Sequence, residues 1–233
     1  MWLHEIYTAV PALAPEPGTA TERVAKATLD VLPLLDVFGI ALFALSGALA
    51  AARERQTLVT FAFFALITGV GGGTVRDLLI DAPVFWVQSP WVSLTCFAMA
   101  LLVWLTPERW WTDAQGGYGA LDWFDAAGLA AYAVFGSFKA VNAGVHPFVA
   151  ALMGVITACV GGILRDVLAG RPSIILRPEL YVTAAALSAG LFVALHAVGL
   201  WWPLAALVAA ASGFGLRAAA ISRGVSLPAY RGR

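Results

Sequence analysis

Charge is scarce in this chain. Of its 233 residues, 12% are Asp, Glu, Lys or Arg, where soluble domains carry about 25%. The charge present is balanced, 14 basic residues against 14 acidic, so no polyelectrolyte partner is indicated. No basic patch interleaved with aromatics suggests nucleic acid. Cysteine is limited to Cys96 and Cys159, which lie in apolar runs without metal-ligand spacing and read as free buried thiols. His4, His146 and His196 share no spacing, and no nucleophile–base arrangement can be recognised. An enzyme is therefore not expected, and neither is a cofactor or a structural metal. A signal peptide is also lacking, because Met1 to Glu5 offers an acid where a basic start is needed. Residues 1–31, interrupted by Pro11, Pro15 and Pro17, read as an extramembrane arm.

What the chain has is apolar length. It is 61% hydrophobic with a mean hydropathy of +0.83. An apolar stretch of about 20 residues crosses the hydrocarbon core as a helix. Seven stretches qualify, near 32–52, 57–79, 90–106, 121–140, 147–169, 178–199 and 201–220. They are long, rich in Ala and Leu, and free of the alternation a barrel strand requires. The expected fold is an all-α integral membrane protein of seven transmembrane helices.

Cationic residues predict its orientation. Arg53 and Arg55 follow span one, Arg109 follows span three, and Arg171 and Arg177 follow span five. Arg217, Arg223, Arg231 and Arg233 are read as following span seven, with 221–233 as a cytoplasmic tail. The alternate connections carry no lysine or arginine. Positive loops remain cytoplasmic, which places the N-terminus outside and the C-terminus inside a plasma (inner) membrane. Trp86, Trp91, Trp104, Trp110, Trp111, Trp123, Trp201 and Trp202 cluster near span ends, as interfacial aromatics do.

A motif occurs twice. Thr68-Gly69-Val70-Gly71-Gly72-Gly73-Thr74-Val75-Arg76-Asp77 is matched by Thr157-Ala158-Cys159-Val160-Gly161-Gly162-Ile163-Leu164-Arg165-Asp166. The spacing is 89 residues (165 − 76), and it also superimposes Asp36 on Asp125, Gly39 on Gly128, Gly47 on Gly136 and Pro83 on Pro172. A register held over that length indicates duplication. Repeat one covers 32–106, repeat two covers 121–199, and the helix at 201–220 is added. Three crossings per copy is an odd number, so the copies should enter the membrane from opposite sides, an inverted 3+3 repeat plus one. Transport proteins place substrate and ion sites at such repeat interfaces.

Three glycines in a row weaken a helix by about 1 kcal/mol each relative to alanine. An unwound turn at Gly71 to Gly73 and at Gly161 to Gly162 would free carbonyls as cation ligands, with Thr68 and Thr157 supplying hydroxyls. The opposing reading makes the small residues packing faces, with Arg76 and Arg165 snorkelling from span ends. Neighbouring Arg and Asp are not expected to face each other on one helix, so partners are sought across the repeat interface. Lys139 corresponds to Ala50 in the first repeat; it reads either as a snorkelling side chain or as a gating charge. Asp36 and Asp125 fall near span starts, where helix N-terminal stabilisation would explain them.

With these residues assembled, the sequence resembles the prokaryotic branch of the trimeric intracellular cation (TRIC) channel family. The resemblance rests on Gly69 to Asp77, on Cys159 to Asp166 and on the seven-span pattern over about 32–220. It implies a homotrimer with a pore inside each protomer, conducting monovalent cations, K⁺ chiefly, with Na⁺ as a second ion. The pore lining then falls on Thr68, Val70, Gly71, Gly72, Gly73, Thr157, Cys159, Val160, Gly161 and Gly162. The charges that tune or gate it fall on Asp36, Arg76, Asp77, Asp125, Lys139, Arg165 and Asp166. Lipid and a transient K⁺ are the other partners implied. Bacterial relatives also carry the label of glycine transporters, so a secondary transporter of a small amino acid is the alternative. A non-transporting scaffold survives only if the glycines are packing devices.

Overall fold

The computed structural model describes residues 20–112, 119–176 and 179–228, with side chains from residue 36 onward. The first part of the N-terminal arm, Arg177, Arg231 and Arg233 lie outside the described residues. Seven α-helices occur among those described: α1 (Ala20–Arg53), α2 (Leu58–Leu79), α3 (Pro90–Leu105), α4 (Gly119–Asn142), α5 (Pro147–Leu168), α6 (Val182–Ala197) and α7 (Trp202–Arg223). Short 3₁₀ turns follow α3 at Glu108–Trp110 and α5 at Ile174–Leu176. No strand forms among the described residues beyond one isolated antiparallel bridge, Glu179 with Ser226.

Local chemistry sets the helix ends. α3, α5 and α7 begin with proline in the first two positions, where the missing N–H costs nothing. α7 stops at Gly224, whose left-handed backbone (φ 64°) closes the helix. Left-handed residues also follow α1 and α2 at Arg55 and Asp81, and α4 and α5 at Gly144 and Gly170. Arg55 pairs with Gly144 and Asp81 with Gly170 at the 89-residue spacing (144 − 55, 170 − 81), so the chain turns at equivalent places in both halves.

Part of α1 (Asp36–Arg53), together with α2, α5 and α7, is long and apolar enough to cross a membrane. α3 and α6 are shorter apolar helices of 16 residues each, and α4 carries Asp122, Asp125 and Lys139 along its 24 residues. The distribution of side chains is the reverse of that in a soluble domain. Arg76, Arg165 and Arg217 are among the largest fully buried side chains, while Trp91, Leu94, Phe97, Leu101, Trp104 and Leu105 of α3 face outward. A hydrocarbon solvent gives this pattern, since it leaves apolar groups at the surface without penalty and drives charges inward.

The helices pack pairwise. α1 contacts α2, α3 and α4; α4 contacts α5 and α6; α2 and α5 cross in the middle. α7 lies against α4 and α6 and has no equivalent beside the first half. Ala205, Ala209 and Gly213 are buried along α7. At Gly213 an added Cβ would collide with the Ala184 carbonyl (2.8 Å), the close approach that small residues permit between membrane helices.

Candidate functional site: a glycine crossing between two buried charge clusters

α2 and α5 cross at their glycines. An added Cβ on Gly72 would collide with the Thr157 carbonyl, and one on Gly161 would lie 2.5 Å from the Thr68 carbonyl. The contact is reciprocal at the 89-residue spacing. Gly47 of α1 and Gly136 of α4 complete the layer: an added Cβ on each would collide with the threonine of the neighbouring helix (Thr68 Oγ1 at 2.6 Å, Thr157 Oγ1 at 2.5 Å). Thr68, Val70 to Gly73, Thr157, Cys159, Gly161 and Gly162 are buried here, and Val160 is half-buried.

The expected unwinding does not occur. α2 is helical through Gly71 to Gly73, and α5 is helical through Gly161 to Gly162. The glycines serve close approach at this crossing, and the partner helix supplies the packing that outweighs their low propensity. Thr157 donates its hydroxyl to the Met153 carbonyl one turn back (2.6 Å). The Thr68 hydroxyl is buried with no hydrogen-bond partner among the described residues.

Beyond the α2 glycines lies the first charge cluster. Arg76 donates from Nε to Asp77 Oδ1 (2.9 Å), and its Nη2 lies 2.8 Å from the same oxygen. Lys139 of α4 reaches that oxygen at 2.8 Å. The other carboxylate oxygen of Asp77 accepts from the Phe85 N–H at 3.1 Å. The guanidinium of Arg76 also lies 5.8 Å from the Phe85 ring centre and 5.7 Å from that of Phe135, within cation–π range. Asp36 accepts from the Tyr132 hydroxyl at 3.1 Å.

The second cluster closes the α5 glycines. Arg165 donates from Nε to Asp166 Oδ1 at 2.9 Å and from Nη1 to Asp125 Oδ1 at 2.6 Å, and it also reaches the Ser46 hydroxyl. Asp166 Oδ2 accepts from the Ile174 N–H at 2.8 Å. Ile174 is Phe85 displaced by 89 residues, so each aspartate ties down the main chain eight residues ahead of it. Buried ions require such pairing, since removing a partner leaves a costly uncompensated charge.

Several expectations change. Arg76 and Arg165 do pair with the aspartates next to them, because a long guanidinium in a last helical turn can fold across one residue to reach the neighbouring carboxylate. Neither arginine snorkels: their side chains are 1% and 2% exposed. Lys139 is likewise held inward by Asp77. Asp36 and Asp125 do not cap helix N-termini. α1 begins at Ala20, far ahead of Asp36, and Asp125 lies in the second turn of α4 bound to Arg165. Arg217 does not follow span seven: it is buried within α7, 2.7 Å from Glu179 and over the Tyr181 ring. Ser46, Phe85, Tyr132, Phe135, Ile174 and Tyr181 were not singled out in the sequence. The 89-residue spacing pairs Phe85 with Ile174 and Ser46 with Phe135, but the paired residues are unlike, so the sequence carried no signal for them.

At the α5 end a small depression is lined by Ala50, Arg53, Glu54, Leu121, Asp122, Arg165, Asp166, Ala169, Arg171 and Ile174. Across its mouth Arg171 donates to Glu54.

A family model described as "Glycine transporter" matches this chain twice, over residues 33–108 and 122–197, again 89 apart (122 − 33). A UPF0126 membrane protein of Vibrio cholerae is 36% identical over 207 residues, spanning 86% of this chain and 83% of its own. The UPF0126 inner membrane protein YadS of Escherichia coli K12 is 40% identical over 157 residues, 64% of this chain and 72% of its own. Among solved structures, the TRIC trimeric intracellular cation channel orthologue of Rhodobacter sphaeroides is 42% identical with TM-score 0.76, covering 84% of this chain and 99% of that one. The chain belongs to the TRIC channel family. A second prokaryotic TRIC channel, crystallised in 0.5 M KCl, matches at 26% identity and TM-score 0.77 over 85% of this chain and 99% of its own.

Proposed function

We propose that the protein is a passive monovalent cation channel of a bacterial inner membrane. The observation that carries this reading is the match to a TRIC cation channel at 42% identity over nearly that channel's full length. K⁺ is the principal ion, and three chains form a trimer with one path through each protomer. The channel domain is 32–220, built from halves 32–106 and 121–199 in inverted orientation with the helix at 201–220 added. The N-terminus is outside and the C-terminus cytoplasmic. Arg53, Arg55, Arg109 and Arg171 lie on the connections that this orientation places inside.

The ion path runs between α1, α2, α4 and α5. Its waist is the layer of Gly72, Gly161, Thr68 and Thr157; both helices are intact there, so the buried Thr68 hydroxyl, with no hydrogen-bond partner among the described residues, is the group that replaces part of an ion's hydration shell. Arg76, Asp77, Lys139, Arg165, Asp166, Asp36 and Asp125 set the field on either side. Each buried cation is held by a carboxylate, so the clusters oppose passing cations less than bare arginines would.

The test is single-channel recording from the purified protein in a planar bilayer under a K⁺ gradient. Discrete openings that reverse near the K⁺ equilibrium potential support the channel. A silent bilayer combined with saturable glycine uptake into liposomes would assign the carrier suggested by the family description instead.

A further inference from the structure

Each half covers the last glycine of its motif with an aromatic ring, and the two covers are fastened differently. At the α2 end an added Cβ on Gly73 would meet the Phe85 ring at 2.6 Å. Phe85 is tied by its N–H to Asp77, and Arg76 and Lys139 each stand 5.8 Å from its ring centre. At the α5 end the equivalent glycine is Gly162 (73 + 89). There an added Cβ would meet the Tyr181 hydroxyl at 2.5 Å and Asp125 Oδ1 at 3.2 Å. Ile174, the counterpart of Phe85, keeps the main-chain bond to Asp166 but leaves the cover to Tyr181. The residue opposite Tyr181 is Val92 (181 − 89), so the duplication does not supply this ring.

Tyr181 is held from α7. Its side chain is buried, and the Arg217 guanidinium lies 5.4 Å from its ring centre. Tyr181 and Ala184 share a face at the start of α6, and Gly213 and Arg217 share a face of α7. The close approach of Gly213 to the Ala184 carbonyl therefore sets the guanidinium over the ring. Arg217 Nη1 stands 2.7 Å from Glu179 Oε2 but out of line for a hydrogen bond, and Nε has no partner among the described residues. The contact with the ring needs no such alignment, only a cation over the π face. The Tyr181 hydroxyl also has no hydrogen-bond partner among the described residues, so it contributes bulk against Gly162 rather than a bond. Asp125, beside that hydroxyl, is the carboxylate that holds Arg165 Nη1.

We propose that Arg217 is a positioning residue of the ion path: acting through Tyr181, it seats α5 at Gly162 and keeps the Asp125–Arg165 pair closed. The inference rests on the channel reading and gives the seventh helix a task in it. Without the cation, Tyr181 leaves Gly162, Asp125 moves into the space and Arg165 is less compensated. A less compensated guanidinium at that end repels passing cations. Cys159 lies one turn before Gly162 on the same face of α5 and is buried, which makes it a reporter of the seat. Cys96 of α3, buried against Gly69, is a control within the same chain.

The full chain is purified in detergent, and alkylation of Cys159 and Cys96 by N-ethylmaleimide is followed by peptide mass spectrometry. Arg217→Met keeps most of the side-chain length and loses the charge. It should speed alkylation of Cys159 about tenfold, the scale of one desolvated cation–π contact, and leave Cys96 unchanged. In planar bilayers its unitary K⁺ conductance should fall about twofold or more. Arg217→Lys keeps a cation over the ring and should recover most of that conductance. Tyr181→Phe removes only the hydroxyl. It should move both readouts in the same direction without lowering the Tm, because a buried hydroxyl without a partner adds no stability. A tyrosine with a purely structural role would leave conductance at the wild-type value. If Arg217→Met fails to fold, Tyr181→Phe carries the test. Wild-type conductance in both variants overturns the proposal, as do equal losses in Arg217→Met and Arg217→Lys. A wild-type protein that passes no K⁺ current overturns the channel reading instead, and Cys159 alkylation unchanged in both variants then overturns the brace as well.

Discussion

Gly72 of α2 lies against the main-chain carbonyl of Thr157 in α5, so closely that no side chain fits between them. Gly161 and Thr68 repeat the relationship from the other side. The packing of two helices thus depends on the absence of two β-carbons.

That dependence predicts a contrast. Gly72→Ala and Gly161→Ala should each destabilise the protein by about 1–3 kcal/mol, because backbone cannot move aside as a flexible side chain can. Gly190→Ala and Gly215→Ala lie in α6 and α7 with no atom within 4 Å of the added carbon. Those should gain up to about 1 kcal/mol from helix propensity. Thermal unfolding of the four variants in one detergent checks the order.

Asp77 should be harder to replace than either cation it holds. It accepts from Arg76, Lys139 and the Phe85 N–H together. Asp77→Ala leaves two buried cations uncompensated and is expected to cost about 3–5 kcal/mol. Lys139→Met leaves the aspartate with Arg76 and should cost less. Expression level and Tm of the two variants, measured side by side, decide this, and equal losses would show that Asp77 is not the hub of the cluster.

The α7 pair should be asymmetric. Arg217 is 1% exposed, whereas its partner Glu179 is 34% exposed. Glu179→Ala strands a buried guanidinium; Arg217→Leu leaves a carboxylate that water can reach. The first is therefore expected to destabilise the protein more than the second, by a margin of about 1–2 kcal/mol, read from their thermal unfolding.

Arg171 and Glu54 are 37% and 28% exposed at the mouth of the α5 depression. Water and salt screen such a pair, so Glu54→Gln should cost under about 1 kcal/mol. Half a molar KCl should erase most of that cost. A cost that persists in high salt would mean the pair is shielded from solvent.

The sequence revealed the helices and the duplication because each leaves a one-dimensional trace: apolar length for the first, a fixed offset for the second. Helix count and the reach of α2, α5 and α7 follow from these. What the glycines do was not legible. A run such as Gly71 to Gly73 reads equally as a weakness in its own helix or as clearance for another, and only the position of the Thr157 carbonyl decides between them. The pairing of Arg76 with Asp77 was misread because helical periodicity describes where β-carbons point, and a guanidinium ends several bonds beyond its β-carbon. Arg217 was misplaced for a related reason, since loop-charge counting treats any cation near a span end as exposed. Tyr132 and Ser46 gave no signal alone; each matters only through a partner about a hundred positions away.

The reciprocal glycine contact also orders events during synthesis. α2 leaves the ribosome with Gly72 facing a helix that does not yet exist, and Thr157 is made 85 residues later (157 − 72). At about 5–20 residues per second that gap lasts from about 4 to 17 s. Throughout it, the nascent first half holds an uncovered backbone groove, and for the first 67 residues of it (139 − 72) the charges Arg76 and Asp77 also lack Lys139. The central crossing is thus closed only when the second half arrives, and a chain halted before α5 would leave Gly72 and the Thr68 carbonyl uncovered.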